Sequence, residues 1–178
     1  MSDRTPVPYD VRWHATGTTT KRALELHAAA HLGVTPDVVN SGRLCPRCGS
    51  SRHGRPWLRA YGVAHHVSLS RSGPHLVTVL ADVPVGIDVE SVADVARGWD
   101  ATLVLAPGES AETDLDRARA WSRKEAVLKQ RGTGLLIPMT TVDLADLDEP
   151  AALDGEAWAD LDAPPGHVAA VSWASLGG

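Results

Sequence analysis

A chain of 178 residues, 43% hydrophobic and with a formal net charge of −5, has the size of one globular domain or two small halves and needs no covalent staple. It has no bilayer-length apolar run, Met1–Trp13 lacks the basic and apolar regions of a leader, and the two cysteines, Cys45 and Cys48, cannot form a disulfide framework, so a cytoplasmic, non-membrane protein is expected. Charge is unevenly spread: Lys21, Arg22, Arg43, Arg47, Arg52, Arg55 and Arg59 meet only Glu25 and Asp37 between Thr16 and Ala60, whereas the chain from Met139 onward has no Lys or Arg and overall acidity argues against nucleic acid.

In chain order, alternation from Tyr9 to Ala15 predicts a strand, and Thr18 is placed to cap a helix that stops at Gly33. Pro36 to Pro56, rich in Gly, Pro, Ser, Arg and Cys, reads as an irregular loop carrying function. His65 to Leu69 and His75 to Leu80 read as strands joined across Arg71-Ser72-Gly73-Pro74, and Val85 to Glu90 as a third strand of the same meander. Val92 to Leu105 suggests a short helix before the turn at Pro107-Gly108, and Asp114 starts a long helix that ends at Gly132. Leu136 to Leu144, Ala157 to Leu161 and Val168 to Ala174 read as strands, with Pro164-Pro165-Gly166 as the last connection. The expected class is α+β, in two similar halves, residues 1–91 and 92–178, that meet near Ser91.

Two clusters carry chemistry. In Gly86-Ile87-Asp88-Val89-Glu90 the period of a strand puts Asp88 and Glu90 on one face, and neighbouring carboxylates there repel unless a cation or proton lies between them; oxygen ligands suit Mg²⁺. Read alone, the pair is more simply a solvated strand face. In Trp121-Ser122-Arg123-Lys124-Glu125-Ala126-Val127-Leu128-Lys129 helical spacing aligns Trp121, Glu125 and Lys129, a pattern that alone describes an ordinary surface ion pair. The chain has fourteen arginines and three lysines, however, and two of the three lysines fall here, as a site that requires a compact ammonium would have it.

Cys45-Pro46-Arg47-Cys48-Gly49 has the form of half a zinc knuckle without a second cysteine pair. His53, His65 and His66 are candidates to complete it, but incidental thiols are the expected reading. Arg52-His53-Gly54-Arg55-Pro56 and Ser68-Leu69-Ser70-Arg71-Ser72-Gly73 combine guanidinium, hydroxyl and glycine backbone, groups that grip phosphate.

Taken in order, Gly-Arg-Pro at 54–56, Ser-Leu-Ser-Arg-Ser at 68–72, Gly-Ile-Asp-Val-Glu at 86–90 and the Trp121 to Lys129 segment resemble the surfactin-type branch of the 4'-phosphopantetheinyl transferase superfamily. The resemblance implies a monomer of pseudo-two-fold symmetry, whose N-terminal half contacts the phosphates and adenylate of coenzyme A and whose C-terminal half carries the Mg²⁺-ligand helix. Its implied activity is transfer of the 4'-phosphopantetheine arm to a serine of an acyl, peptidyl or aryl carrier protein, releasing 3',5'-ADP, in fatty-acid, polyketide or non-ribosomal peptide synthesis. By motif, Asp88, Glu90 and Glu125 correspond to the metal ligands and Lys129 to the cation beside the pyrophosphate. Lys124 corresponds to a supporting phosphate contact, and Arg55, Ser70 and Arg71 to the grip on the 3'-phosphate and adenylate. Glu109 corresponds in spacing to a base for the carrier serine.

Two departures stand out: Arg71 replaces a histidine common in the Ser-x-Ser turn, and the chain is short for the family. The basic first third is the expected docking face for an acidic carrier. The competing readings are another Mg²⁺-dependent phosphate-ester enzyme, such as a hydrolase, and a binding module built on a zinc knuckle.

Overall fold

The structure, a computed structural model, describes residues 8–144, 152–153 and 155–174. Of the acidic tail, Asp146, Asp148, Glu149 and Asp154 lie outside the described residues. The elements are β1 (Tyr9–His14), α1 (Thr20–Leu32), β2 (Val39–Leu44), β3 (Arg55–Ala60), β4 (Val63–Ser72), β5 (His75–Ala81), β6 (Val85–Ser91), α2 (Val92–Arg97), α3 (Ala101–Val104), α4 (Asp114–Arg131), β7 (Ala152–Leu153), β8 (Glu156–Leu161) and β9 (His167–Ala174). They form two sheets, in the orders β1-β5-β4-β3-β2 and β6-β9-β8-β7, antiparallel throughout.

Strand alternation explains how the layers stack. The even residues of β5, Leu76 and Leu80, join Ala23, Leu24 and Ala28 of α1 in one core. The odd residues Val77, Val79 and Ala81 turn the other way and pack with Val85, Ile87 and Val89 of β6 and with Ala169 and Val171 of β9. A further core lies under α4, where Val127 and Leu128 meet Trp158, Val142 and Leu144. The order is therefore helix, sheet, sheet, helix: α1 covers the outer face of the first sheet and α4 that of the second. A polar thread runs beneath α1, with Thr78 Oγ1 lying 2.7 Å from both His14 Nε2 and His27 Nδ1.

Helix α4 is locally specified at both ends. Thr113 forms a capping box with Asp116, its hydroxyl accepting from the Asp116 amide at 3.1 Å while the Asp116 carboxylate accepts from Thr113 N at 3.0 Å. Gly132 ends it at φ 75°, a left-handed position where a side chain is strained. The helix lies close on β6 because Gly86 has no side chain; a Cβ there would stand 1.9 Å from the Ala126 carbonyl oxygen. Arg123 then fastens α4 to β8. Its fork donates to Asp160 at 2.9 and 2.6 Å, and its guanidinium lies 4.5 Å over the Trp158 ring.

Four expectations need correction. The cap of α1 is Thr19, which accepts from Arg22 N, while Thr18 donates its hydroxyl to Ala15 O. The stretch from Pro36 to Pro56 is largely ordered: a 3₁₀ turn at Pro36–Val38 leads into a hairpin whose two strands, β2 and β3, pair from Val39–Ala60 to Leu44–Arg55. Strand β6 does not continue the β4–β5 meander but pairs with β9 in the other sheet, since β6 crosses to place Ile87 and Val89 over Val77 and Val79. The apolar run from Leu136 to Leu144 forms 3₁₀ turns at Gly134–Leu136 and Met139–Thr141, because Gly134 and Pro138 break the extended backbone.

Candidate active site

Asp88 lies in the middle of β6, and its face of the strand points toward α4. Three turns of α4 beyond its N-terminal capping box, Glu125 and Lys129 occupy that same side, four residues apart, as the spacing predicts. Asp88 is 1% exposed, and its Oδ1 accepts from the Ser70 hydroxyl at 2.8 Å and from Lys129 Nζ at 2.6 Å. Lys129 also donates to Ser70 Oγ at 3.2 Å and to the Ile87 carbonyl at 3.2 Å. On the same edge of β6, the Ile87 amide donates to Ser68 Oγ at 3.2 Å. Ser68 and Ser70, two residues apart on β4, thus share one face, and both reach β6.

The electrostatics are those of too many anions for one ammonium. Burial, and then the Asp88 carboxylate beside it, push the pKa of Glu90 up to about 7, with Lys129 pulling the other way. Burial likewise raises Glu125, with Lys129 opposing and Asp88 reinforcing. The second carboxylate oxygen of Asp88, Oδ2, is buried without a hydrogen-bond partner. The excess negative charge and the one unpartnered carboxylate oxygen suit a hard divalent cation, although Asp88, Glu90 and Glu125 do not by themselves reach metal-ligand spacing.

Lys129 also lines a cleft of about 300 Å³ with Arg43, Arg47, Arg55, Ser68 and Gly132. The Arg55 guanidinium passes so close to Gly132 that a Cβ there would sit 2.5 Å from Arg55 Nη1. A wider groove of about 690 Å³ shares Arg55 and Gly132 with the cleft and runs on past Trp57, His65 and His66. The cationic wall extends from Lys129 to these arginines, so the acidic cluster adjoins a basic cleft.

Not every expected residue joins this centre. Asp88, Glu90, Glu125, Lys129 and Ser70 come together, and Arg55 lies across the cleft from Lys129. Arg71 does not. Strand alternation turns it away from Ser70 to the α1 side of the first sheet, where its guanidinium donates to the Thr18 carbonyl at 2.6 Å. Lys124 is fully buried, its ammonium donating to Val142 O at 2.7 Å and to Glu109 Oε2 at 2.5 Å. Glu109, 5% exposed at its side chain, accepts in addition from the amides of Ala106 at 2.7 Å and Leu144 at 2.9 Å. The two form a buried latch between α4 and the loops at 106–109 and 139–144, with no contact to Asp88. Arg43 and Arg47 of the basic run also line the cleft, beside Ser68 of the phosphate-gripping stretch.

Residues 84–159 match the 4'-phosphopantetheinyl transferase superfamily. The matched segment begins just before β6 and contains Asp88, Glu90, Glu125 and Lys129. Among curated proteins, a 4'-phosphopantetheinyl transferase of Bacillus subtilis is 26% identical over 126 residues, covering 67% of this chain and 53% of the relative. The 4'-phosphopantetheinyl transferase AcpT of Escherichia coli K12 is 39% identical over 75 residues, covering 36% of this chain and 38% of the relative. The chain thus spans about half the length, or less, of these phosphopantetheinyl transferases. The superfamily recognised from the ordered motifs is the one these comparisons return. Among the described residues, no helix is long and apolar enough to cross a membrane.

Proposed function

We propose that this chain transfers the 4'-phosphopantetheine arm of coenzyme A to a serine of an acyl, peptidyl or aryl carrier protein, releasing 3',5'-ADP. The observation that carries this reading is the junction of the Asp88–Glu90–Glu125 carboxylates with the Lys129–Arg43–Arg47–Arg55 cleft. A pyrophosphate with a flanking 3'-phosphate is the kind of ligand that needs both: a metal for its bridging oxygens and guanidinium groups for its ends.

Asp88, Glu90 and Glu125 hold Mg²⁺, the unpartnered Asp88 Oδ2 and the charge excess around it being the features that suit a cation. Bound there, Mg²⁺ supplies neutralisation of pyrophosphate charge. Lys129, whose side chain is 28% exposed and faces both Asp88 and the cleft, balances the charge that develops on the departing diphosphate end. Arg55, with Arg43 and Arg47, grips the phosphates, and the groove beyond it, walled by Trp57 and His66, takes the adenylate. Ser70 orients Asp88 through their hydrogen bond. Glu109, with both oxygens already accepting, positions Lys124 and the 139–144 loop rather than taking the serine proton.

The two layers of helix on antiparallel sheet, α1 on the first and α4 on the second, support two halves in a pseudo-two-fold relation, with β6 belonging to the second sheet, so that the boundary falls before Val85 rather than at Ser91. A monomer working in the cytoplasm, with its basic first third docking an acidic carrier, completes the reading. The test is direct: the chain is incubated with Mg²⁺, coenzyme A and a panel of apo carrier proteins, and intact mass is measured. One phosphopantetheine adduct per carrier, abolished by a chelator, is expected. Coenzyme A cleavage without an adduct on any carrier would replace the transferase with a hydrolase.

A further inference from the structure

The connection from β2 to β3 has no part in the chemistry above, yet it is closely built. Cys45 N donates to Ser50 O at 2.9 Å and Gly49 N to Cys45 O at 2.8 Å, so residues 45–50 close into a tight knuckle. Arg43 Nη1 donates to Gly54 O at 3.1 Å and fastens the far end of the loop to β2.

The return limb brings in a third donor. The donor atoms of Cys45, Cys48 and His53 all lie within 4.8 Å of one another, and Cys48 Sγ is 3.4 Å from His53 Nε2. A tetrahedral zinc with ordinary Zn–S and Zn–N lengths needs ligand atoms about 3.4–3.8 Å apart. Small side-chain rotations bring the trio to that spacing. Two sulfurs and an imidazole form a soft, mixed donor set, unlike the all-oxygen cluster at Asp88, and such a set selects zinc over magnesium. Cys48 and His53 are exposed, so the fourth coordination position faces solvent. The expectation of incidental thiols lacked one fact: a hairpin, not a loose loop, returns His53 to the cysteines.

We propose that Cys45, Cys48 and His53 bind one zinc ion that clasps the β2–β3 hairpin. The clasp is separate from the Asp88 cluster and stands whether or not the transferase reading holds. Cys45 and Arg47 also line the basic cleft, so the ion fixes the loop that carries Arg47 and leads into Arg55.

The full-length chain, purified under reducing conditions, is assayed for metal content after mild chelation in the presence of Mg²⁺, and Co²⁺ is titrated into the metal-free protein. One equivalent of zinc per chain and a cobalt spectrum with thiolate charge-transfer and tetrahedral bands are expected. Cys48→Ser should weaken binding at least about 100-fold and His53→Ala about 10-fold or more, with circular dichroism showing the fold retained. Both thiols should resist a thiol reagent while zinc is bound. The proposal fails if reduced wild type retains no zinc and gives no thiolate–cobalt band, a measurement that needs no variant to fold. It fails equally if Cys45→Ser/Cys48→Ser holds as much zinc as wild type.

Discussion

At the scale of single residues, the structure separates side chains that adjoin in sequence. Lys124 and Glu125 are neighbours on α4, yet one is fully buried against Glu109 and the other faces the acidic cluster. Removing either kind of residue should therefore have opposite signatures. Asp88→Asn is expected to lower kcat about 10²–10³-fold with little change in Tm; Lys129→Ala should lower kcat as much, and Lys129→Arg should not restore it because a planar fork replaces a compact ammonium. Steady-state kinetics beside a thermal melt check this. Glu109→Ala, by contrast, strands a buried ammonium and should cost about 3–5 kcal/mol in denaturant unfolding. Comparable loss of turnover in a fully stable Glu109→Gln protein would make Glu109 catalytic after all.

A second prediction at this scale concerns pH. Burial, and then the positive charges of His27, Arg12 and Arg71, push the pKa of His14 down to about 4 from the ordinary 6.5. The folded state thus favours the neutral ring, and the unfolded chain takes up the proton first. Stability is full above pH 6.5 and falls as pH drops toward 4, by about 1–2 kcal/mol after allowance for the ring's partial exposure. Melts at pH 7.5, 6 and 5 should show the decline, and His14→Gln should flatten it.

At the scale of elements, helix α4 was legible because its signals are local: Thr113 and Asp116 at one end, Gly132 at the other, with buried and polar positions recurring between them. The pairing of β6 was not legible, since the choice between β5 and β9 is made by contacts more than seventy residues away along the chain. The β2–β3 hairpin was hidden by composition, because Gly, Pro, Arg and Cys mark turns whether or not strands flank them. The motif groups Arg71 with Ser70, whereas the two-residue period of β4 sets them on opposite faces, so adjacency in the motif does not put both side chains in the cleft.

Two substitutions test how α4 is seated. Thr113→Ala should cost about 1 kcal/mol through its cap alone, without altering activity measured well below Tm. Gly86→Ala should cost about 3 kcal/mol or more, since the added methyl meets backbone atoms of α4 that cannot turn aside. Denaturant titrations of both proteins distinguish the two magnitudes.

At the scale of the whole molecule, the core shared by Val77 and Val79 with Ile87, Val89 and Val171 joins the two sheets face to face. Among the described residues, each helix-on-sheet layer leaves an apolar face that the other covers. Cutting the chain at residue 91 would strip β9 of β6, its neighbour, and expose that face on both pieces. Urea unfolding followed by far-UV circular dichroism and by tryptophan fluorescence should therefore give coincident, single transitions. Two separated transitions would mean that the halves fold alone.

The Ile87 backbone, whose amide donates to Ser68 and whose carbonyl accepts from Lys129, lies on the outer strand of its sheet. An outer strand with open amide and carbonyl groups is a template on which another chain can add a strand. Here the Ser68 hydroxyl and the Lys129 ammonium, both at the proposed reaction centre, occupy those groups. Lys129→Ala should thus do more than slow turnover: it leaves the buried Ile87 carbonyl and Asp88 carboxylate without their ammonium, a cost of about 1–3 kcal/mol visible in denaturant unfolding. Strand stability and the proposed chemistry rest on one ammonium, so neither can be tuned there without disturbing the other.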